Sequence, residues 1–112
     1  MSKQKVCNMT DLVKNSGVCA LVKTGTEEQQ VALFYMPETE QKIFAISNWD
    51  PVGNANVMSR GLTGSIGDDI MVSSPLYKQH YCLATGKCLD DDELSVKIFD
   101  VSIEDDTVYI RT

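Results

Sequence analysis

Five side chains in this sequence could bind a soft metal or carry redox chemistry: Cys7, Cys19, Cys82, Cys88 and His80. Zinc and iron–sulfur sites draw their thiolates from short spacings such as C-x2-C, or C-x4-C-x2-C in plant-type ferredoxins. Neither spacing occurs, and the only compact grouping is His80-x-Cys82-x5-Cys88. Strand alternation would put His80 and Cys82 on one face. A four-coordinate site would still need Cys7 or Cys19 to arrive from elsewhere. The competing reading is small buried thiols and a surface or hydrogen-bonded histidine. An even cysteine count also suits disulfides in a secreted chain. The start, however, runs from Met1-Ser2-Lys3-Gln4-Lys5 into polar Asn8, Thr10 and Asp11 rather than an apolar segment. Reduced thiols and a cytoplasmic location are therefore expected.

Two other residues invite a chemical role. Arg60 could hold an anion, but a lone arginine beside Gly61 reads better as a loop anchor bonded to carbonyls or carboxylates. Asp50 could act as a general acid, yet no second titratable group accompanies it. The chain has no Ser-His-Asp set, no phosphate-cradling glycine loop and no nicotinamide fingerprint. No catalytic residue, cofactor-binding residue or metal ligand is expected.

Positioning elements follow from composition and pattern. A length of 112 residues is that of one domain, and the 43% hydrophobic content suits a packed core. The formal net charge of −6 repels phosphate backbones and anionic lipid, so neither nucleic acid nor a membrane is an expected partner. The acidic runs Asp90-Asp91-Asp92-Glu93 and Glu104-Asp105-Asp106 read as solvated turns. Short apolar runs separated by turn residues predict an all-β chain. Strands are expected at 18–22, 30–35 and 42–47, forming a meander. A long irregular stretch is expected at 48–69, which holds Gly53, Gly61, Gly64 and Gly67, and then a buried strand at 70–72. Segments 80–83 and 87–89 flank Ala84-Thr85-Gly86 as a tight hairpin with glycine in the left-handed region. A last hairpin pairs 96–103 with 107–110 across Glu104-Asp105-Asp106. Phe99, Val101 and Ile103 share one face there, while Val96 and Ile98 fall out of phase, which predicts a bulge or twist near Ile98 and Phe99. Helix is limited to one turn at 8–13, capped by Asn8 or Thr10.

The order of motifs carries a resemblance. Strand, Asp50-Pro51, Ser59-Arg60-Gly61-Leu62, strand, Ser74-Pro75-Leu76-Tyr77, and then Tyr81-x-Leu83-x-Thr85-Gly86 is similar to a Rieske-type domain. That resemblance covers nearly the whole chain and implies a Rieske-like [2Fe-2S] domain fold of antiparallel sheets. A Rieske centre needs two thiolates on one iron and two imidazoles on the other. Aligned on Pro51 and Pro75, the ligand positions read Asp50, Val52, Ser74 and Tyr77. Valine binds no metal, and the other three offer only hard oxygen donors that suit an iron–sulfide cluster poorly. The cluster ligands are absent. With Val6-Cys7, Gly17-Val18-Cys19-Ala20-Leu21, Phe44-Ala45-Ile46-Ser47-Asn48 and Ser95-Val96-Lys97, the chain further resembles the small-subunit family of cytoplasmic NADH-dependent nitrite reductases.

That resemblance implies an accessory subunit without a cofactor of its own, supporting reduction of nitrite to ammonium by a large subunit carrying FAD, a [4Fe–4S] cluster and sirohaem. The alternative is a ligand-free Rieske-like interaction module serving another oxidoreductase, since one fold hosts many functions. The two former cluster loops are the expected docking end, with Trp49, Asp50, Val52, Asn54, Tyr77, Lys78 and Gln79 as interface candidates. One reading has Trp49 and Tyr77, helped by Val52 and Leu76, filling the space a cluster would vacate. The other leaves Trp49 exposed as an interface anchor.

Overall fold

The computed structural model describes residues 3–111. Its eleven strands are β1 (Lys3–Asn8), β2 (Ser16–Thr24), β3 (Glu27–Tyr35), β4 (Ile43–Ser47), β5 (Trp49–Asp50), β6 (Ala55–Asn56), β7 (Leu62–Ile66), β8 (Asp69–Ser73), β9 (His80–Cys82), β10 (Ile98–Glu104) and β11 (Thr107–Arg111). Two short 3-10 turns, Met9–Asp11 and Met58–Arg60, complete the elements. A six-stranded sheet runs in the order β1-β11-β10-β4-β3-β2, a three-stranded sheet in the order β7-β8-β9, and β5 pairs with β6.

The central strands explain the layering. In β3 and β4 the residues Val31, Ala32, Leu33, Phe34 and Ile43, Phe44, Ala45, Ile46 are all buried, so both faces of this part of the sheet meet a core. Alternation sends Ala32, Phe34, Phe44 and Ile46 to one side, where they pack with Met58, Val72, Tyr81, Leu83 and Val96. Val31, Leu33, Ile43 and Ala45 point to the other side and meet Val22, Phe99, Val108 and Ile110. The second core requires the sheet to curl back on itself. A side chain closes the curl: Gln4 of β1 donates to the Lys23 carbonyl of β2 and accepts from the Lys23 N–H at 2.9 Å, as a peptide group would.

The expected meander is present as β2-β3-β4, in continuous antiparallel register. The hairpin between β2 and β3 turns at Gly25, whose φ of 64° suits the first central position of a two-residue turn. The acidic run at 104–106 is a turn in which Asp105 and Asp106 both take positive φ, 50° and 63°, the geometry of a type I′ hairpin. Gly86 takes φ 79° in the tight hairpin after β9, although its return arm is only an isolated bridge, Tyr81 to Cys88. The expected helical turn is the 3-10 turn at Met9–Asp11, where the Asn8 N–H donates to the Asp11 carboxylate at 2.9 Å.

Three expectations are corrected. The stretch 48–69 is not irregular: it holds β5, β6, a 3-10 turn and β7. Strand β7 reads Leu-Thr-Gly-Ser-Ile, weak in strand propensity, and pairing with β8 over five residues overrides that weakness. No bulge interrupts β10, because Val96 lies before the strand and packs in the opposite core from Phe99. Strand β1 has no counterpart among the expected elements; its sequence is polar, and its order comes from pairing with β11.

Candidate functional site

Two loops close one end of the fold. The first follows β4 and is set by Asn48, which is 2% exposed. The Asn48 N–H donates to the Gln30 carbonyl at 2.9 Å, its amide donates to the Gln30 side chain at 3.0 Å, and its Oδ1 accepts from the Ser59 N–H at 2.7 Å. One asparagine thus joins the end of β4, strand β3 and the second 3-10 turn. Strands β5 and β6 form a small hairpin whose turn ends at Asn54, with φ 55° and its N–H on the Asp50 carbonyl at 2.8 Å. The second loop connects β8 to β9 through 74–79. Its turn ends at Lys78, with φ 62° and its N–H on the Ser74 carbonyl at 3.1 Å.

A buried polar pair holds the two loops together. Asp50 is 0% exposed and Ser74 is 1% exposed. Asp50 Oδ1 accepts from the N–H groups of Val52 at 2.9 Å and Gly53 at 3.1 Å, folding its own loop. Asp50 Oδ2 accepts from the Ser74 hydroxyl across the gap between loops. Ser74 Oγ also accepts from the Leu76 N–H at 3.3 Å. A carboxylate out of water is costly unless its lone pairs are matched, and three donors match this one. Leu76 lies over Gly53, where any Cβ would collide with it.

This arrangement corrects the expectation that aromatic side chains fill the space a cluster would occupy. Trp49 is 44% exposed, Tyr77 63% and Leu76 46%, and Val52 is half-buried. The Asp50–Ser74 bond joins the loops instead, because short side chains on facing loops can bond directly where long ones would be forced outward. The exposed-anchor reading of Trp49 agrees with its position; it borders a groove of about 450 Å³ with Leu21, Gln30 and Asn56. Of the interface candidates, Trp49, Asn54, Tyr77 and Lys78 are exposed, while Val52 and Gln79 are half-buried. Asp50, also an interface candidate, is 0% exposed, its side chain bonded to Ser74 beneath the surface.

The donor set does not fit a [2Fe–2S] cluster. Asp50 and Ser74 are committed to each other, Val52 has no donor atom and Tyr77 points to solvent. The thiols lie elsewhere: Cys7 in β1, Cys19 in β2, Cys82 in β9 and Cys88 just beyond it, all unpaired. Among the described residues no three His, Cys, Asp or Glu side chains converge as a metal site. Burial pushes the Cys7 and Cys19 thiols up, with Asp11 adding to the effect at Cys7. A raised thiol is a poor nucleophile. His80 is taken by Asp90, whose carboxylate accepts from the His80 N–H at 2.7 Å and lies 2.9 Å from its Nδ1. Those two bonds, the backbone one first, hold the Asp90 carboxyl below its ordinary value.

Sequence reasoning assigned Arg60 to anchoring a loop. Its side chain is exposed, with no hydrogen bond or ion pair among the described residues. It borders a groove of about 290 Å³ with Leu62, Ser73, Ser74, Pro75 and Lys78. Leu62, 78% exposed, was not singled out. The available signal was an apolar residue directly after Arg60-Gly61 in a stretch of weak strand propensity.

The family model of the Rieske-like [2Fe-2S] domain matches residues 3–111. The chain is 42% identical over 108 residues to the nitrite reductase (NADH) small subunit of Salmonella typhimurium, covering 96% of this chain and 95% of that one. The solution structure of the Escherichia coli protein NirD superposes with a TM-score of 0.81 at 35% identity, covering 99% of this chain and 98% of that one. A third relative is the nitrite reductase [NAD(P)H] large subunit of Klebsiella oxytoca, 34% identical over 107 residues; these are 96% of this chain but 10% of that polypeptide.

Proposed function

The chain belongs to the Rieske-like [2Fe-2S] domain family, alongside the small subunits of NADH-dependent nitrite reductases, and on that premise we propose that it is the accessory subunit of such an enzyme. It acts as a single Rieske-like domain, residues 1–112, that assembles with a large subunit and supports reduction of nitrite to ammonium. The observation that carries this reading is the Klebsiella relative, in which a segment like this chain is part of the large-subunit polypeptide itself. A segment joined covalently in one protein and separate in another meets the same neighbour in both, at a higher effective concentration when joined.

The flavin, [4Fe–4S] and sirohaem chemistry belongs to the large subunit, in the cytoplasm, and the electrons from NADH to nitrite travel there. This chain binds and positions; the Asp50 carboxylate and Ser74 hydroxyl of its two loops are bonded to each other. Trp49, Val52, Asn54, Tyr77, Lys78 and Gln79 form the docking end, where exposed aromatic side chains serve as anchors.

The test is reconstitution. The large subunit with this chain should oxidise NADH with nitrite faster than the large subunit alone, and the isolated chain should show no turnover. Equal rates with and without the chain, or turnover by the chain alone, would overturn the reading.

A further inference from the structure

The groove beside the second loop is flanked by cations in a chain that is acidic overall. Segments 48–66 and 73–80, which build the loop end, contain a single acidic residue, Asp50, and it is buried. The other 15 of the chain's 16 acidic residues lie outside these segments. Arg60 and Lys78 flank the groove, both exposed and neither engaged in an ion pair among the described residues. Leu62, 78% exposed, and exposed Pro75 line the groove with them, and Leu76 at 46% and Tyr77 at 63% follow Pro75 in the same loop. A chain of net charge −6 thus carries two exposed cations beside an apolar groove. Apolar side chains clustered on a soluble protein, rimmed by polar groups, mark interaction sites.

We propose that this face docks onto an acidic, apolar-centred strip of the large subunit, with Arg60 and Lys78 meeting its carboxylates and an apolar side chain entering the groove between Leu62 and Pro75. This rests on the accessory-subunit reading and gives the partner surface its chemistry. The argument for the occupant is charge complementarity. An acidic partner is repelled by the net charge of −6 and attracted by Arg60 and Lys78, so the field favours an encounter at this groove. A second copy of the chain is disfavoured, because two such faces would oppose cation to cation.

The experiment measures affinity between this chain and the purified large subunit at low and high salt. It compares the unsubstituted chain, Arg60→Glu with Lys78→Glu, and a control of equal charge change on exposed lysines elsewhere, Lys5→Glu with Lys87→Glu. The first pair should weaken binding about tenfold or more at low salt and flatten its salt dependence, while the control changes it less than about threefold. Leu62→Ser should weaken binding at both salt concentrations. Urea midpoints should stay constant for the Arg60 and Lys78 variants, since neither side chain has a partner to lose. If the complex forms but both charge-reversed pairs weaken it equally, or neither does, the proposed face is wrong and the subunit reading stands. If the unsubstituted chain forms no complex, the subunit reading fails and the docking face with it. Self-association of the chain, abolished by Leu62→Ser, would assign the face to a second copy instead.

Discussion

Asp50 and Ser74, which the Rieske resemblance aligns with two of four cluster-ligand positions, join two loops by a hydrogen bond between their side chains. The bond is between a charged acceptor and a hydroxyl, both out of water. Removing the hydroxyl leaves the carboxylate with two backbone donors where it had three, so Ser74→Ala is expected to cost about 1–3 kcal/mol. The urea midpoint measures that loss, and an unchanged midpoint would mean the loops are held by other contacts. Tyr81 tells the opposite story. It is 0% exposed, and its hydroxyl has no partner among the described residues. Burial, followed by the nearby Asp50 carboxylate, pushes its phenol up to about 12 from the ordinary 10.0. The folded state therefore favours the protonated phenol. That stability is fully present below about pH 10 and is lost as pH rises towards about 12. Tyr81→Phe should remove this alkaline loss without lowering the midpoint at neutral pH, because an orphaned buried hydroxyl is discarded. Urea titrations at neutral and alkaline pH compare the two.

At the scale of elements, pairing partners decide more than propensity does. Strand β7 forms from a glycine- and serine-containing segment because β8 offers it a full register, and β1 forms from polar residues because β11 does. The β10–β11 hairpin shows the reverse case, where local chemistry is legible. Asp105 and Asp106 both sit at positive φ, which aspartate tolerates at a cost and glycine adopts freely. Asp106→Gly should stabilise the protein by about 0.5–1 kcal/mol, since it relieves that strain and removes one charge from an acidic turn. Thermal and urea denaturation report the gain, and a loss would indicate that the carboxylate has a role in the turn.

For the whole molecule, the distribution of charge and apolar surface matters more than any single group. The Cα radius of gyration of 13.1 Å is that of a compact chain of this length, about 13 Å for 100 residues. Exposure of Leu62, Leu76 and Tyr77 is thus a property of a packed structure and not of loose folding. With the Gln4 clasp closing the large sheet and the Asp50–Ser74 bond closing the loop end, the scaffold presents that face ready-made. Preorganisation of this kind lowers the ordering cost of assembly. The accessory role and the acidic partner strip are therefore tested at this scale, by reconstitution and by salt-dependent affinity.

The residues alone determined the all-β class, the meander, both tight hairpins and the Rieske-like order of motifs, because period-two alternation and turn chemistry are local properties. They also carried the resemblance in which Asp50, Val52, Ser74 and Tyr77 stand where a Rieske domain holds its cluster ligands. Only the tertiary structure decided what replaced them. Asp50 and Ser74 are 24 positions apart, and nothing in either segment says that one will bond the other. The same holds for Arg60, which reads as a loop anchor in sequence but stands free beside a groove, and for Trp49, which the sequence left open between filling a core and anchoring an interface. Exposure and long-range pairing depend on which surfaces the two sheets bring together. That is set by the packing of both cores at once, and no short stretch of sequence contains it.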